Sequence, residues 1–228
     1  MAFWNQGPMP LDDVPAVAAG RLEVRHFVVG PIQTNVYAVV SEGDAMVVDP
    51  AADGALIADA LSDVHVKLVV ATHGHADHVG GCQALVDATG AAFVMAQPDV
   101  ELAMRARRNH AFGIQYDADA PRPDRLVAEG DTVGVGSARF RVIAAPGHTP
   151  GGIVLLGELD AEGIAFVGDT LFAGTAGRTD LDGGDASALM ATLAKLAKVV
   201  PQKTHLMCGH GDDTTMAWEL GHNPFLRA

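Results

Sequence analysis

The stretch that most constrains this chain is Thr72–Gly81, which reads THGHADHVGG and directly follows the apolar run Lys67–Ala71. It places three imidazoles and one carboxylate within six residues, a combination that suits a divalent transition metal such as zinc, manganese or iron. Residues two apart do not face the same way on a helix. The spacing therefore predicts a tight loop leaving a strand end, from which His73 and His75 converge on a metal. The alternative is a polar surface loop that happens to be rich in histidine.

Polar side chains follow short apolar strands at three later positions, which are His148, Asp169 and His210. Each is directly preceded by glycine, which permits a sharp exit that turns a side chain back over the strand ends. Buried apolar strands that alternate with helices predict sheets sandwiched between helices, with a site at one edge of the strands. Four separate strand ends would then supply one cluster.

The length and charge of the chain limit its organisation and its partners. We expect residues 1–20, which are rich in proline, to form an irregular arm, and residues 21–228 to form a single domain. The formal net charge of −13 disfavours a nucleic-acid partner, because phosphate binding needs a basic face. It also disfavours anionic membrane surfaces. The composition leaves the oligomeric state open.

A cytoplasmic location is expected. The first twenty residues have no basic segment followed by an apolar core, and no apolar run approaches the roughly 18 residues that span a bilayer.

Two cysteines, Cys82 and Cys208, are too few for a disulfide framework, so both are expected to be reduced and buried. The alternative for Cys208 is a role near the metal site. Tyr116 lies in the irregular stretch 112–125, which could border a pocket, although a packing role is favoured.

Four motifs together resemble those of the metallo-β-lactamase superfamily: THGHADHVGG, APGHTPGG, FVGDTLFAGTAGRTDL and LMCGHGDDTT. Within that superfamily they are most similar to the short glyoxalase II-like hydrolases, also called hydroxyacylglutathione hydrolases. The resemblance runs from about Val47 to Phe225. It implies a four-layer αββα sandwich with the site at one edge of the two sheets. It also implies two divalent metal ions, with zinc as the first expectation and iron or manganese as alternatives.

The resemblance implies a ligand set, residue by residue. One metal would be held by three histidines, which are His73, His75 and His148. The other would be held by a carboxylate and two histidines, which are Asp77, His78 and His210. Asp169 would bridge the two, and Asp77 would also orient the attacking water. Such sites hold metals about 3.5–4 Å apart and acidify a bridging water, which would attack the carbonyl of an S-acyl thioester such as hydroxyacylglutathione.

Three further residues are expected around this site. Asp49 resembles the family's carboxylate that orients a metal-binding histidine, while the alternative is a turn-forming Asp-Pro step. Arg178 and Asp180, in the sequence GRTD, are predicted to form a buried salt bridge that shapes the floor of the site. Residues that bind substrate cannot be assigned from the sequence.

The sequence also departs from the family pattern. Full-length glutathione thioesterases carry a C-terminal helical domain that supplies cations for the glutathione carboxylates. Here 18 residues follow His210, and they include only one cation, Arg227. Gly74 replaces a histidine often found between the first two ligands. A small-molecule thioester or ester is still expected as substrate, but recognition of glutathione is left open.

Four other functions compete with thioester hydrolysis. A persulfide dioxygenase would use a single iron held by His73, His148 and Asp169. A lactonase differs little in its chemistry, because the attacked bond is an ester. A class B β-lactamase is disfavoured, because those enzymes usually lack His78 as a ligand. A metal-binding scaffold without turnover would be expected to have lost ligands, and none is missing here.

Overall fold

The computed structural model describes residues 20–108, 116 and 118–227. The predicted N-terminal arm therefore lies outside the described residues, except for its last position. The described chain forms two six-stranded sheets and a two-stranded hairpin. None of the described helices has the length and apolar character needed to cross a bilayer.

The first sheet contains its six strands in chain order. These are β1 (Glu23–Val29), β2 (Thr34–Ser41), β3 (Asp44–Val48), β4 (His65–Val70), β5 (Ala92–Ala96) and β6 (Arg125–Val127). Strands β1 to β3 are antiparallel neighbours, whereas β3 to β6 run parallel. All eight positions of β2 are buried, as expected for a strand whose two faces are both covered.

The second sheet has the order β14-β13-β10-β9-β8-β7. Its strands are β7 (Thr132–Val135), β8 (Ala138–Ala144), β9 (Ile153–Leu159), β10 (Ile164–Gly168), β13 (His205–Cys208) and β14 (Thr214–Thr215). The hairpin consists of β11 (Leu171–Phe172) and β12 (Thr175–Ala176), and it follows β10. Strands β10 and β13 are parallel, so their carboxyl ends lie at the same edge of the sheet.

The described helices are α1 (Gly54–Ala60), α2 (Ala76–Val79), α3 (Cys82–Thr89), α4 (Val100–Ala103), α5 (Ala186–Val199) and α6 (Met216–His222). Single 3₁₀ turns cover Gln97–Asp99 and Ala106–Arg108. Asp185 begins α5 by accepting a hydrogen bond from the backbone N–H of Ala188 at 2.9 Å. This N-cap satisfies a donor that the first turn of the helix would leave free.

Three hydrophobic clusters define the layers. Successive side chains of a strand point to opposite faces of the sheet. In β3, Val47 therefore packs with Ile57 of α1, while Met46 and Val48 pack towards the second sheet. On the far side of that second sheet, Leu193 of α5 belongs to a third cluster. Helices thus cover the outer face of each sheet, which confirms the predicted four-layer αββα sandwich.

The described cysteines are both free and buried, as predicted. The thiol of Cys208 donates a hydrogen bond to the carbonyl oxygen of Leu171 at 3.4 Å, and burial raises its pKa well above the ordinary thiol value. A buried, protonated thiol with a carbonyl acceptor packs as a small apolar group. This favours the packing role of Cys208 over one at the metal site.

Candidate metal centre

Three histidines form what we call the first ligand group, which comprises His73, His75 and His148. One nitrogen from each ring lies within 4.8 Å of the others. Nδ1 of His75 is 2.9 Å from Nε2 of His148, and Nε2 of His73 is buried without a hydrogen-bond partner. Buried polar atoms without partners are rare in folded proteins. A ring nitrogen left unpaired beside two others fits a metal ion.

A carboxylate and two histidines form the second ligand group, which comprises Asp77, His78 and His210. Nε2 of His210 is 3.2 Å from Nε2 of His78 and 3.1 Å from Oδ2 of Asp77. His78 is fully buried, whereas the side chains of Asp77 and His210 are 18% and 25% exposed. This group therefore faces solvent more than the first.

Asp169, which follows β10, lies between the two groups. Its Oδ2 is 3.5 Å from Nε2 of His148 and 3.6 Å from Nε2 of His210. Its Oδ1 is 3.2 Å from Nε2 of His78 but is buried without a hydrogen bond. One carboxylate thus contacts both ligand groups. This position fits the bridging role that the family resemblance implies for it.

Three of the histidines are fixed through the ring nitrogen that faces away from the centre. Nδ1 of His148 donates to the backbone carbonyl of Arg178 at 2.7 Å. Nδ1 of His78 lies 2.9 Å from Oδ2 of Asp49, and Nδ1 of His73 lies 3.2 Å from the hydroxyl of Thr72. Such partners fix the tautomer and the ring orientation, so that the opposite nitrogen can bind a metal.

Asp49 follows β3 and holds the start of the metal loop. Its carboxylate accepts hydrogen bonds from the backbone N–H and the hydroxyl of Thr72, both at 2.6 Å, and also contacts His78. Asp49 lies close enough to His73 and His78 to be a possible metal ligand. Because its oxygens already have three hydrogen-bonding partners, two from Thr72 and one from His78, we interpret it as orienting His78 rather than as a ligand. Its φ of 52° also gives it the unusual left-handed backbone of a tight turn.

The predicted burial of the Arg178–Asp180 pair is wrong. The salt bridge exists, with Nε of Arg178 2.7 Å from Oδ1 of Asp180, but the two side chains are 45% and 67% exposed. Both residues lie outside strands and helices in the segment after β12, where the path of the chain decides which side chains reach solvent. Arg178 supports the site through its backbone carbonyl, which holds His148.

The glycines that precede the later ligands serve two purposes. Gly147 and Gly168 have positive φ values of 141° and 48°, so they supply the sharp exits that the sequence predicts. Gly209 does not have a positive φ. A Cβ placed there would instead meet the carboxylate of Asp169 and the ring of His78. This glycine is needed so that the backbone can approach the centre closely.

Burial keeps two histidines of the first ligand group, His73 and His75, neutral. Loss of solvation lowers the pKa of His73 well below its ordinary value, and the neighbouring histidines lower it further. Burial and the adjacent His148 lower the pKa of His75 to about 4. Both rings therefore offer free lone pairs at neutral pH, which is the form that binds a metal.

The second ligand group carries charge. Burial lowers the pKa of His78, but three carboxylates outweigh it and raise that pKa well above the ordinary value; these are Asp169, Asp77 and Asp49. Burial raises the pKa values of Asp77 and Asp169, but His78 and its histidine neighbours outweigh it and lower both. Without a metal, the His78 ring is thus held as a cation among carboxylates.

A cavity of about 750 Å³ opens in front of the two groups. Its walls include Tyr116, Phe172, Leu181 and Asp182, together with four of the predicted ligands, which are His75, Asp77, Asp169 and His210. Tyr116 is 8% exposed and also belongs to the hydrophobic cluster outside the first sheet. It therefore both packs and borders the cavity, and burial raises its pKa.

Sequence reasoning missed Asp99. This fully buried carboxylate accepts hydrogen bonds from the backbone N–H of Gly74 at 2.9 Å and of Gly151 at 2.6 Å. It thereby ties the loop of His73 and His75 to the loop of His148. In the sequence, Asp99 follows Gln97-Pro98 and reads as an ordinary helix start, so no local signal reveals this contact.

The chain matches the family model described as the metallo-beta-lactamase superfamily over residues 29–211. It is 31% identical to a hydroxyacylglutathione hydrolase, GloC, of Haemophilus influenzae, over 82% of this chain and 89% of that protein.

Two solved structures share the fold. One, a B3 metallo-beta-lactamase called BLEG-1, has a TM-score of 0.81 and 28% identity, covering 90% of this chain and 100% of that one. The other, TTHA1623 in a di-iron-bound form, has a TM-score of 0.78 and 33% identity, covering 87% and 98%.

Proposed function

Because the chain belongs to the metallo-beta-lactamase superfamily, whose members are metal-dependent hydrolases, we propose that it cleaves S-acyl thioesters such as hydroxyacylglutathione with the help of two metal ions. The observation that carries this proposal is the position of Asp169. Its carboxylate lies within 3.6 Å of ring nitrogens from both ligand groups. A shared carboxylate between two ligand sets is the arrangement of a dinuclear centre.

The first metal would be held by the three histidines of the first ligand group, the second by Asp77, His78 and His210, and Asp169 would bridge them. When bound, a pair of divalent ions activates water and polarises the substrate carbonyl. Zinc is the proposed metal, because histidine and carboxylate ligands suit it. Iron and manganese suit the same ligands, and the related structure that contains two irons supports iron as an alternative.

The protein's own residues would set up the reaction. Asp77 would bind through Oδ2, the oxygen that lies 3.1 Å from His210, and orient the attacking water through its other oxygen. Its partial exposure to the cavity supports that second role. Asp49 and the carbonyl of Arg178 would hold His78 and His148 in place, because each contacts Nδ1 of its ring and leaves Nε2 for the metal.

The substrate class follows from the cavity and from the relatives. A volume of about 750 Å³ accommodates a small organic molecule, and much of its wall is apolar, including Ile32, Phe172 and Leu181. Such a wall suits an acyl group. The similarity to a hydroxyacylglutathione hydrolase supports a thioester as the scissile group. The proposed partner is thus a small-molecule thioester or ester, and the proposed compartment is the cytoplasm.

Three other reactions remain as outcomes of the test. A one-iron dioxygenase would leave the second ligand group without a metal, although its ligand atoms converge as closely as those of the first. A β-lactamase activity is suggested by the similarity to a B3 enzyme. Lactone hydrolysis differs from thioester hydrolysis only in the bond attacked.

The test measures metal content and turnover on the same preparation. Purified full-length protein is loaded with zinc, iron or manganese, and metal per chain is determined by mass spectrometry. Thiol release is then followed from S-lactoylglutathione and acyl-coenzyme A, beside a β-lactam, a lactone and glutathione persulfide. We expect two metals per chain and thiol release. No thiol release from any thioester, or one iron with oxygen consumption on the persulfide, would overturn the proposal.

A further inference from the structure

The loop that carries His210 is held by a strand of the opposite sheet. The side-chain amide of Asn35, in β2, donates to the carbonyl of Cys208 and to the carbonyl of Gly211, each at 2.9 Å. These two carbonyls lie on either side of His210 in the chain. The backbone N–H of Asn35 also donates to the carbonyl of Gly209 at 2.8 Å. One residue of the first sheet thus binds three carbonyls of this loop.

Tyr37, two residues later on the same strand, fixes the loop at its start. Its hydroxyl is 2.9 Å from the carbonyl oxygen of Cys208 and 2.7 Å from Oδ1 of Asp213, so its single proton is shared between two acceptors. The same Asp213 oxygen accepts the backbone N–H of Cys208 at 2.8 Å. Burial and the neighbouring Asp213 raise the pKa of Tyr37, which keeps the hydroxyl protonated.

The orientation of the Asn35 amide is determined by its surroundings. Two carbonyl oxygens on one side accept only from a donor, so the amide nitrogen must face the loop. Its oxygen faces the other way and accepts from Nε2 of His26 at 2.9 Å. The His26 ring also stacks on Tyr37, with centroids 4.9 Å apart. His26 therefore holds both the amide and the phenol from the side away from the loop.

This support is specific to one ligand. The other two members of the second ligand group lie in α2, after β4 of the first sheet, and Asp49, which follows β3 of that sheet, contacts His78. His210 follows β13 of the second sheet and has its side chain partly exposed. Its distance from His78 and Asp77 therefore depends on how the loop 208–213 sits against β2.

We infer that Asn35 and Tyr37 are positioning residues for His210, and that their contacts to the loop 208–213 set the affinity of the second metal site. The inference rests on the proposed two-metal centre. The hydrogen bonds replace water contacts on three buried or partly buried backbone carbonyls, so losing them frees the loop to move. Among the described hydrogen bonds, none joins Asn35 or Tyr37 to the first ligand group. The metal affinity of the first site should therefore not change when either residue is substituted.

The experiment separates the two metal sites. Tyr37→Phe removes only the hydroxyl and keeps the ring in place, while Asn35→Leu removes the amide at similar volume. Ser41→Ala is the matched control, since Ser41 lies on the same strand and bonds across the sheets to Ser137 at 3.2 Å, at the end away from the site. Zinc is titrated into each metal-free protein against a competing chelator to obtain both dissociation constants, and the thermal midpoint of the metal-free protein is recorded.

We expect the second dissociation constant to rise about tenfold in Tyr37→Phe and at least as much in Asn35→Leu, with the first unchanged. The control should match the wild type in both constants. A lower thermal midpoint with unchanged constants, or an equal rise in both, would show a merely structural role and overturn the inference. If the wild type itself binds fewer than two zinc ions, the two-metal proposal fails, and the inference fails with it. If Asn35→Leu does not fold, the two zinc dissociation constants of Tyr37→Phe alone test the inference.

Discussion

The two ligand groups are built from similar side chains but differ in their surroundings. The first has three buried histidines, and burial keeps His73 and His75 neutral. The second is partly exposed at Asp77 and His210, and it holds a protonated His78 among carboxylates. Neutral histidines can bind a metal directly, whereas a protonated histidine must first release its proton. We therefore expect the first site to bind a metal more tightly than the second.

The groups also differ in what holds them. Asp99 ties together the two loops of the first group through the backbone N–H of Gly74 and of Gly151. In the second group, Asp49 contacts the ring of His78 directly, and Asn35 of β2 binds the loop of His210. Substitution of these supporting side chains should therefore change the metal affinity of the second site without unfolding the protein.

The carboxylate of Asp169 should show the largest effect, because it lies between the two groups and contacts members of both. Asp169→Asn keeps the shape of the side chain but removes the charge that contacts His78, His148 and His210. We expect thioester hydrolysis to fall by more than about 100-fold, exceeding the loss typical of residues behind the ligands. Metal content should fall from two per chain to one or less. Retention of two metals with full turnover would show that the groups work separately.

Asp49→Asn should weaken the second site selectively. The amide can still contact Thr72 but no longer provides a charged acceptor for Nδ1 of His78. We expect the second metal dissociation constant to rise about 10- to 100-fold and the first to change much less. Titration of the metal-free protein measures both. Equal weakening of both sites would contradict this prediction. It would show that Asp49 also acts on His73 through Thr72, whose hydroxyl contacts that ring.

Acid should remove the second metal first. The raised pKa of His78 means that a proton competes with the metal there already near neutral pH, so affinity should fall by about tenfold per pH unit as the pH is lowered. The pKa of His75 is lowered to about 4, so proton competition at that ligand of the first group begins only near that pH. Metal per chain after dialysis between pH 8 and pH 4 should show two separate losses. A single joint loss would contradict the expected difference.

Asp180→Asn should show the smallest effect. The carboxylate and its Arg178 partner are exposed to solvent, where such pairs contribute little. The carbonyl of Arg178 that holds His148 is unaffected by the substitution. We expect metal content to stay at the wild-type value and the rate of hydrolysis to change by less than about twofold. A clear loss of metal would restore the predicted role of this pair in shaping the site.

The sequence allowed the prediction of the sandwich and of the side chains that meet at its edge, because these depend on local patterns. An apolar strand followed by glycine and a polar residue is visible in a few letters, as at Gly168 and Asp169. The supporting contacts are not visible in this way. Asn35 and Cys208 are far apart in the chain and meet only because two sheets pack face to face. Nothing in the letters Asn-Val-Tyr distinguishes an amide that binds a loop from one that faces solvent.

Contacts made by backbone atoms could not be predicted from the sequence either. The carbonyl of Arg178 holds His148 whatever side chain stands at that position, so its role leaves no mark on residue type. The burial of the Arg178–Asp180 pair was predicted wrongly because two opposite charges in a loop do not indicate which side faces the protein. Exposure of such pairs is decided by the path of the loop.

The carbonyl of Arg178 also bears on how this scaffold could acquire new substrates. Much of the cavity wall comes from the segment 172–182, whereas the ligands come from the strand ends. Side chains such as Phe172 or Leu181 can therefore be exchanged without removing a ligand. An insertion or deletion between Asp169 and Arg178 would shift the carbonyl that orients His148. Directed evolution of this chain should therefore vary the composition of that segment and keep its length.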